Sequence, residues 1–248
     1  MMKSLTRVAC GLGMVAALVA GSAGASVTVG GTRVVYPLES REVTVKLEND
    51  RADPSLVQVW MDRGNADAKP DEANAPFVLT PPIFRMDGRK SQTLRMMYTG
   101  EALPQDRESV FWLNVLDVPP KAKQAPDVNT LQFAFRTRIK VFARPKGLPG
   151  TPEDAAANVT WKVVPAVDGK GYAVSATNPS VYHVSFSEID VVDGGKTFKN
   201  EIGGMVEPKG TTVFPIKDLN AMPAGARLKY IAISDYGGAM PHEVPLGN

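Results

Sequence analysis

Residues 129–145 read NTLQFAFRTRIKVFARP, the clearest strand signal in the chain. Leu131, Phe133 and Phe135 alternate with Gln132, Ala134 and Arg136, the period-2 pattern of a β-strand with one apolar face. The strand is predicted over Leu131–Phe142. It turns basic at Arg136, Arg138 and Lys140, and Arg144-Pro145 stops it, because proline has no amide hydrogen for a ladder. Two uses fit this pattern. The stretch is either a core strand of a β-sandwich with a solvated basic end, or a comb that captures an extended apolar peptide ending in a carboxylate. Alternation alone favours the core strand.

The chain around it reads as all-β. Runs rich in Val, Thr, Phe and Tyr are punctuated by Pro, Gly, Asn and Asp, and no segment sustains a 3.6-residue apolar period. Strands are predicted at Ser26–Tyr36, Glu42–Asn49, Leu56–Asp62, Phe77–Leu79, Ile83–Met86, Ser91–Tyr98 and Ser109–Val115, besides Leu131–Phe142. Lys146-Gly147-Leu148-Pro149-Gly150-Thr151-Pro152 is a flexible joint, followed by a short helical turn at Glu153–Asn158. A second set of strands then runs through Asn158–Pro165, Tyr172–Thr177, Val181–Val192, Thr211–Phe214 and Leu228–Ser234. The expected organisation is two immunoglobulin-like sandwiches, residues 26–147 and 148–248. A single long, distorted barrel is the competing architecture.

The first 25 residues form an export signal: Lys3 and Arg7, an apolar run from Val8 to about Ala20, and the small-residue cleavage site Ser22-Ala23-Gly24-Ala25. The only cysteine, Cys10, lies inside it, so the mature chain has no disulfide and must be held by its cores. Without Lys3 and Arg7 the 28 basic residues become 26, matching the 26 acidic ones. A near-neutral chain does not attract nucleic acid through a global field. Any cationic chemistry is local.

Catalytic constellations are missing from the sequence. His183 and His242 are the only histidines, and neither has a partner at metal-ligand spacing. Gly194-Gly195-Lys196 lacks the context of a phosphate loop and reads as a hairpin turn. No nucleophile elbow is present. No enzyme activity, cofactor, metal or small-molecule substrate is expected.

A set of ordered segments resembles the periplasmic chaperones of the chaperone–usher pilus pathway. They are Gly31-Thr32-Arg33-Val34-Val35-Tyr36-Pro37, Val57-Gln58-Val59-Trp60, the run Phe77–Arg85, the run Leu103–Asn114, Val118-Pro119-Pro120, Leu131–Pro145, Thr177-Asn178-Pro179-Ser180 and Ser234-Asp235-Tyr236-Gly237-Gly238. Each is weak alone; the ordered set spans nearly all of the mature chain. The resemblance implies an L-shaped pair of immunoglobulin-like domains with a cleft. It implies a partner, an incomplete pilin subunit to which the last strand of the first domain is lent, and delivery of that subunit to an outer-membrane usher. It carries a carboxylate-binding pair onto Arg33 and Lys140, and a groove-filling comb onto Leu131, Phe133 and Phe135. It also implies an interdomain charge network of Arg95, Glu108 and Asp235. The ten cysteine-free residues Lys121–Thr130 resemble the short-loop branch of the family. An uncovered comb edge predicts self-association of the free protein. An exported adhesive or carbohydrate-binding sandwich, with the comb as core, is the alternative reading.

Overall fold

The computed structural model describes residues 27–121, 131–167, 169–222 and 225–246. The expected export signal (residues 1–25) and nearly all of the short loop at 121–130 lie outside these.

Two sandwiches account for the described chain. The first is built from β1 (Val27–Val29), β2 (Arg33–Pro37), β3 (Val43–Asn49), β4 (Ser55–Asp62), β5 (Phe77–Thr80), β6 (Ile83–Met86), β7 (Ser91–Tyr98), β8 (Ser109–Val118) and β9 (Phe135–Arg144). They form a back sheet in the order β1-β3-β7-β5 and a front sheet in the order β2-β9-β8-β4-β6. Between the sheets lies a core that includes Tyr36, Leu47, Leu94, Met96, Leu113, Val115 and Val141. The second sandwich follows a short helix, α1 (Pro152–Ala157), and comprises β10 (Thr160–Pro165), β11 (Tyr172–Thr177), β12 (Val184–Asp193), β13 (Lys196–Asn200), β14 (Gly204–Val206), β15 (Thr211–Pro215), β16 (Arg227–Ile233) and β17 (Ala239–Pro245). Its sheets run β10-β11-β15 and β13-β12-β16-β17, with β14 also on β12. Trp161, Phe186, Phe214 and Tyr230 pack ring against ring in its core. Two separate cores, with no described strand pairing across them, exclude the single barrel.

Three local differences from the predicted strands have physical causes. The run Ser26–Tyr36 breaks at Gly30-Gly31, where Gly31 has φ 133°, a conformation that suits glycine. The break lets β1 pair with β3 in the back sheet and β2 with β9 in the front one. The comb strand starts at Phe135, not Leu131, because β8 gives way to Pro119-Pro120, which have no N–H to extend the ladder beyond Asp117↔Phe135. The strands β13, β14 and β17 were not predicted. β17 carries Pro241 and Pro245, and it tolerates them because it is a sheet edge. The Gly194-Gly195 turn does close the β12–β13 hairpin, with φ of 55° and 80° at the two glycines, and α1 covers the predicted helical turn, capped by Thr151 Oγ1 accepting from the Asp154 amide at 3.1 Å.

Candidate binding site between the two sandwiches

Parallel pairing of β2 with β9 sets Arg33 directly beside Lys140, although 106 positions separate them in sequence. Tyr36, fully buried, pins β2 from below: its hydroxyl donates to the Ser40 carbonyl and accepts from the Tyr98 amide, both at 3.0 Å. Both cations reach across to the second sandwich. Arg33 donates from Nη1 to the Ile233 carbonyl at 3.0 Å, and Lys140 Nζ donates to Ser185 Oγ at 3.1 Å. Neither meets a carboxylate within ion-pair distance among the described residues, and the buried Arg33 Nε has no hydrogen-bond partner. Burial, then the charge of Arg33, pushes Lys140 down to about 8. Burial also lowers Arg33, against the pull of Asp235. Two like charges are thus held together away from water with a donor to spare, an arrangement chemically suited to an anion.

β2 covers β9 only from Lys140 to Arg144. Upstream, the outer edge of Phe135–Ile139 has no strand beside it among the described residues. Leu131, Phe133 and Phe135 are 79, 60 and 54 % exposed, and the rings of the two phenylalanines lie 6.5 Å apart. Phe135 shares its strand face with Ile139, Val141 and Ala143, which enter the core. The comb therefore prolongs the row of side chains that fills the first sandwich, past the end of that sandwich.

The opposite face of β9 bears Arg136, Arg138, Lys140 and Arg144. Three of these four are satisfied within the protein. Arg136 donates to Asn114 Oδ1 at 2.7 Å and lies over Trp60, 4.7 Å from the ring centre. Arg138 binds Asp62 through two hydrogen bonds of 2.6 and 3.1 Å and lies 4.0 Å from the Trp112 ring centre. Burial alone would raise the Asp62 carboxyl, but hydrogen bonds from Arg138, Asn114 and the Gly64 amide hold it below its ordinary range. Of the basic run seen in the sequence, Arg138 and Arg144 are thus paired with carboxylates and Arg136 is held by a neutral amide and an indole, while Lys140 faces the second sandwich.

The expected network of Arg95, Glu108 and Asp235 needs one correction. Arg95 lies on β7 in the back sheet and pairs with Glu42 at the surface; it reaches neither Glu108 nor Asp235. The joining cation is Arg144, which donates from Nε to Glu108 Oε1 at 2.6 Å and grips Asp235 with two bonds of 2.7 and 2.9 Å. Glu108 is 4 % exposed and also accepts from the His183 amide at 2.8 Å, with His183 Nδ1 3.2 Å away. His183 is therefore a satisfied buried histidine. Arg144 was legible in principle, since it sits four residues after Lys140 on the same strand face. On the far side, the β16–β17 turn closes against the start of β2: Gly237 has φ 82°, and a Cβ there would fall 2.6 Å from Thr32 Oγ1.

This geometry defines a two-sandwich protein with an open strand edge that leads to a pair of half-buried cations between the sandwiches. Two family models cover the chain: "Pili and flagellar-assembly chaperone, PapD N-terminal domain" over residues 26–149 and "Pili assembly chaperone PapD, C-terminal domain" over residues 154–244. The chain belongs to this family of pilus-assembly chaperones. It is 42 % identical over 219 residues to the probable fimbrial chaperone YadV of Escherichia coli, covering 87 % of this chain and 88 % of that one. It is 41 % identical over 244 residues to the chaperone protein FimB/FhaD of Bordetella pertussis, covering 97 and 96 %. The YadV crystal structure superposes with a TM-score of 0.77 at 39 % identity, over 90 % of this chain and all of that one. A Salmonella enterica SafB chaperone solved in complex with the SafA pilin gives a TM-score of 0.72 at 27 % identity, over 91 and 99 %.

Proposed function

We propose that this chaperone caps an incomplete pilin subunit by lending it residues 131–139, and that Arg33 and Lys140 receive the subunit's C-terminal carboxylate. The observation that carries this reading is the alignment of the open edge with β2. A client strand laid along Phe135–Ile139 is collinear with β2 and stops where β2 begins, at Arg33. If it runs parallel to β9, as β2 does, its carboxylate arrives at the two cations. If it runs antiparallel, its ammonium arrives there and is repelled. The charges therefore select the parallel orientation and set the register, in a mode of strand addition for which chaperone–pilin complexes are a standing example.

Affinity comes mainly from the comb. Each of Leu131, Phe133 and Phe135 contributes roughly 1.5–3 kcal/mol on leaving water, so three together outweigh a single exposed ion pair of about 0–1 kcal/mol. Arg144, Glu108 and Asp235 hold the two sandwiches at the angle the receptor needs, with little net stability after desolvation. The protein acts by binding, without catalysis, in the periplasm, on subunits that pass to an outer-membrane usher. Residues 145–151 join its two domains. Co-expression with a pilin tests the reading. A soluble one-to-one complex is expected, lost in Arg33→Ala or Lys140→Ala; complexes that survive both substitutions sink it.

A further inference from the structure

The second sandwich supplies more to the anion receptor than a wall. Lys140 ends a flexible four-carbon stem next to Arg33, whose like charge pushes it away. Its Nζ makes one hydrogen bond among the described residues, to Ser185 Oγ at 3.1 Å; the Trp112 ring centre lies 5.5 Å away on the other side. Ser185 itself is 1 % exposed. Its strand β12 is held by β14 through the Ser185↔Met205 pair and by β16 from Phe186 onward, so the hydroxyl is a fixed point. An ammonium has three donors in tetrahedral array. Spending one on a fixed acceptor orients the other two and keeps the charge from folding back on the indole.

We propose that Ser185 is a positioning residue for carboxylate capture, holding the Lys140 ammonium in place from the opposite domain. The inference rests on the reading of Arg33 and Lys140 as the carboxylate receptor, and it adds that the receptor is preorganised only when both domains are docked. The Ile233 carbonyl does the same for Arg33 through a main-chain atom, which no side-chain substitution removes. Ser185 is the tether that can be deleted.

The test uses the full mature chain and a synthetic peptide copying the last strand of a pilin that co-purifies with it. The peptide is made once with a free carboxylate and once as the C-terminal amide. The wild type is expected to prefer the carboxylate form. Ser185→Ala reduces that preference about 10-fold, the size of one hydrogen bond to a charged group, while affinity for the amide stays within about 2-fold. Ser185→Cys, which keeps the volume but offers a weak acceptor, gives a similar loss if the alanine variant does not fold. Ser185→Thr, which restores the hydroxyl, regains the preference. Full preference retained in Ser185→Ala or Ser185→Cys overturns the role of Ser185 and leaves the receptor standing. An equal loss for both peptides overturns it too, by showing a general packing defect. A wild type blind to the carboxylate removes the receptor itself, and the Ser185 proposal with it.

Discussion

Lys140→Met is expected to make the free protein more stable and the chaperone useless. Lys140 is pushed down to about 8 by burial and by Arg33, from an ordinary value of about 10.4. Below pH 8 the folded protein carries an ammonium it would sooner not hold, and the penalty is about 3 kcal/mol at 1.36 kcal/mol per pK unit. Between about pH 8 and 10.5 the unfolded chain binds more protons at this site than the folded one, so this contribution to stability rises with pH across that window. The methionine variant lacks the penalty at neutral pH. It leaves Ser185 Oγ buried without its donor, a loss of about 1–2 kcal/mol. The net expectation is a gain of about 1–2 kcal/mol at pH 7, shrinking to a loss by pH 10.5.

The assay is urea unfolding of both proteins at pH 7, 8.5 and 10. Taking the difference between them removes the contributions of Tyr98, Tyr182 and Tyr230, all of which are raised by burial. Binding has the opposite sign. A client carboxylate restores the Lys140 charge, so capture takes up a proton. Affinity then falls by up to about tenfold per unit above pH 8, and stays flat in Lys140→Arg, whose side chain does not titrate there. A methionine variant less stable than wild type at pH 7, or an affinity independent of pH from 7 to 9.5, refutes the argument.

Arg144→Ala strands Glu108 in the interface and is expected to cost about 3–5 kcal/mol in urea unfolding, whereas Arg95→Ala leaves the midpoint and pilin capture where they were; equal effects would restore Arg95 to the network. Phe133→Ser removes an exposed apolar ring and should leave stability unchanged while weakening both self-association, followed by sedimentation at rising concentration, and pilin binding. A free wild-type protein that stays monomeric throughout counts against the open-edge account. Gly237→Ala forces a Cβ against Thr32 Oγ1 at positive φ and should destabilise by about 1–2 kcal/mol, with domain docking loosened in small-angle scattering.

Much of this was legible in the sequence because strands announce themselves locally. The β3, β7 and β10 alternations, the Gly194-Gly195 turn and the joint at 146–152 are all short-range signals. Long-range chemistry was not. Arg33 and Lys140 came together only through an ordered resemblance, since the parallel pairing of β2 with β9 leaves no local trace. The resemblance implies Arg95 for the interdomain network, and the sequence offers no check, since a charge in a strand does not say which sheet that strand joins; β7 lies in the back sheet. The Arg136–Asn114 and Arg138–Asp62 contacts were invisible for the same reason, as they need the β8–β9 and β4–β8 registers at once. Ser185 had no signal at all beyond being a small polar residue in an apolar strand.

The free protein leaves two costs unrelieved, and both point to the same ligand. An apolar comb stands in water because it runs past the end of the sandwich core and past the strand that covers the outer edge of β9. A pair of cations sits half-buried because their partners across the interface, a carbonyl and a hydroxyl, are neutral. The acids were available: Glu108 and Asp235 lie in the same interface, yet both are engaged by Arg144. An extended apolar segment with a free C-terminus relieves both costs at once, and neither an internal loop nor an amidated end does so. On the proposed reading, selectivity for chain ends is the expected consequence of what the interface withholds from Arg33 and Lys140.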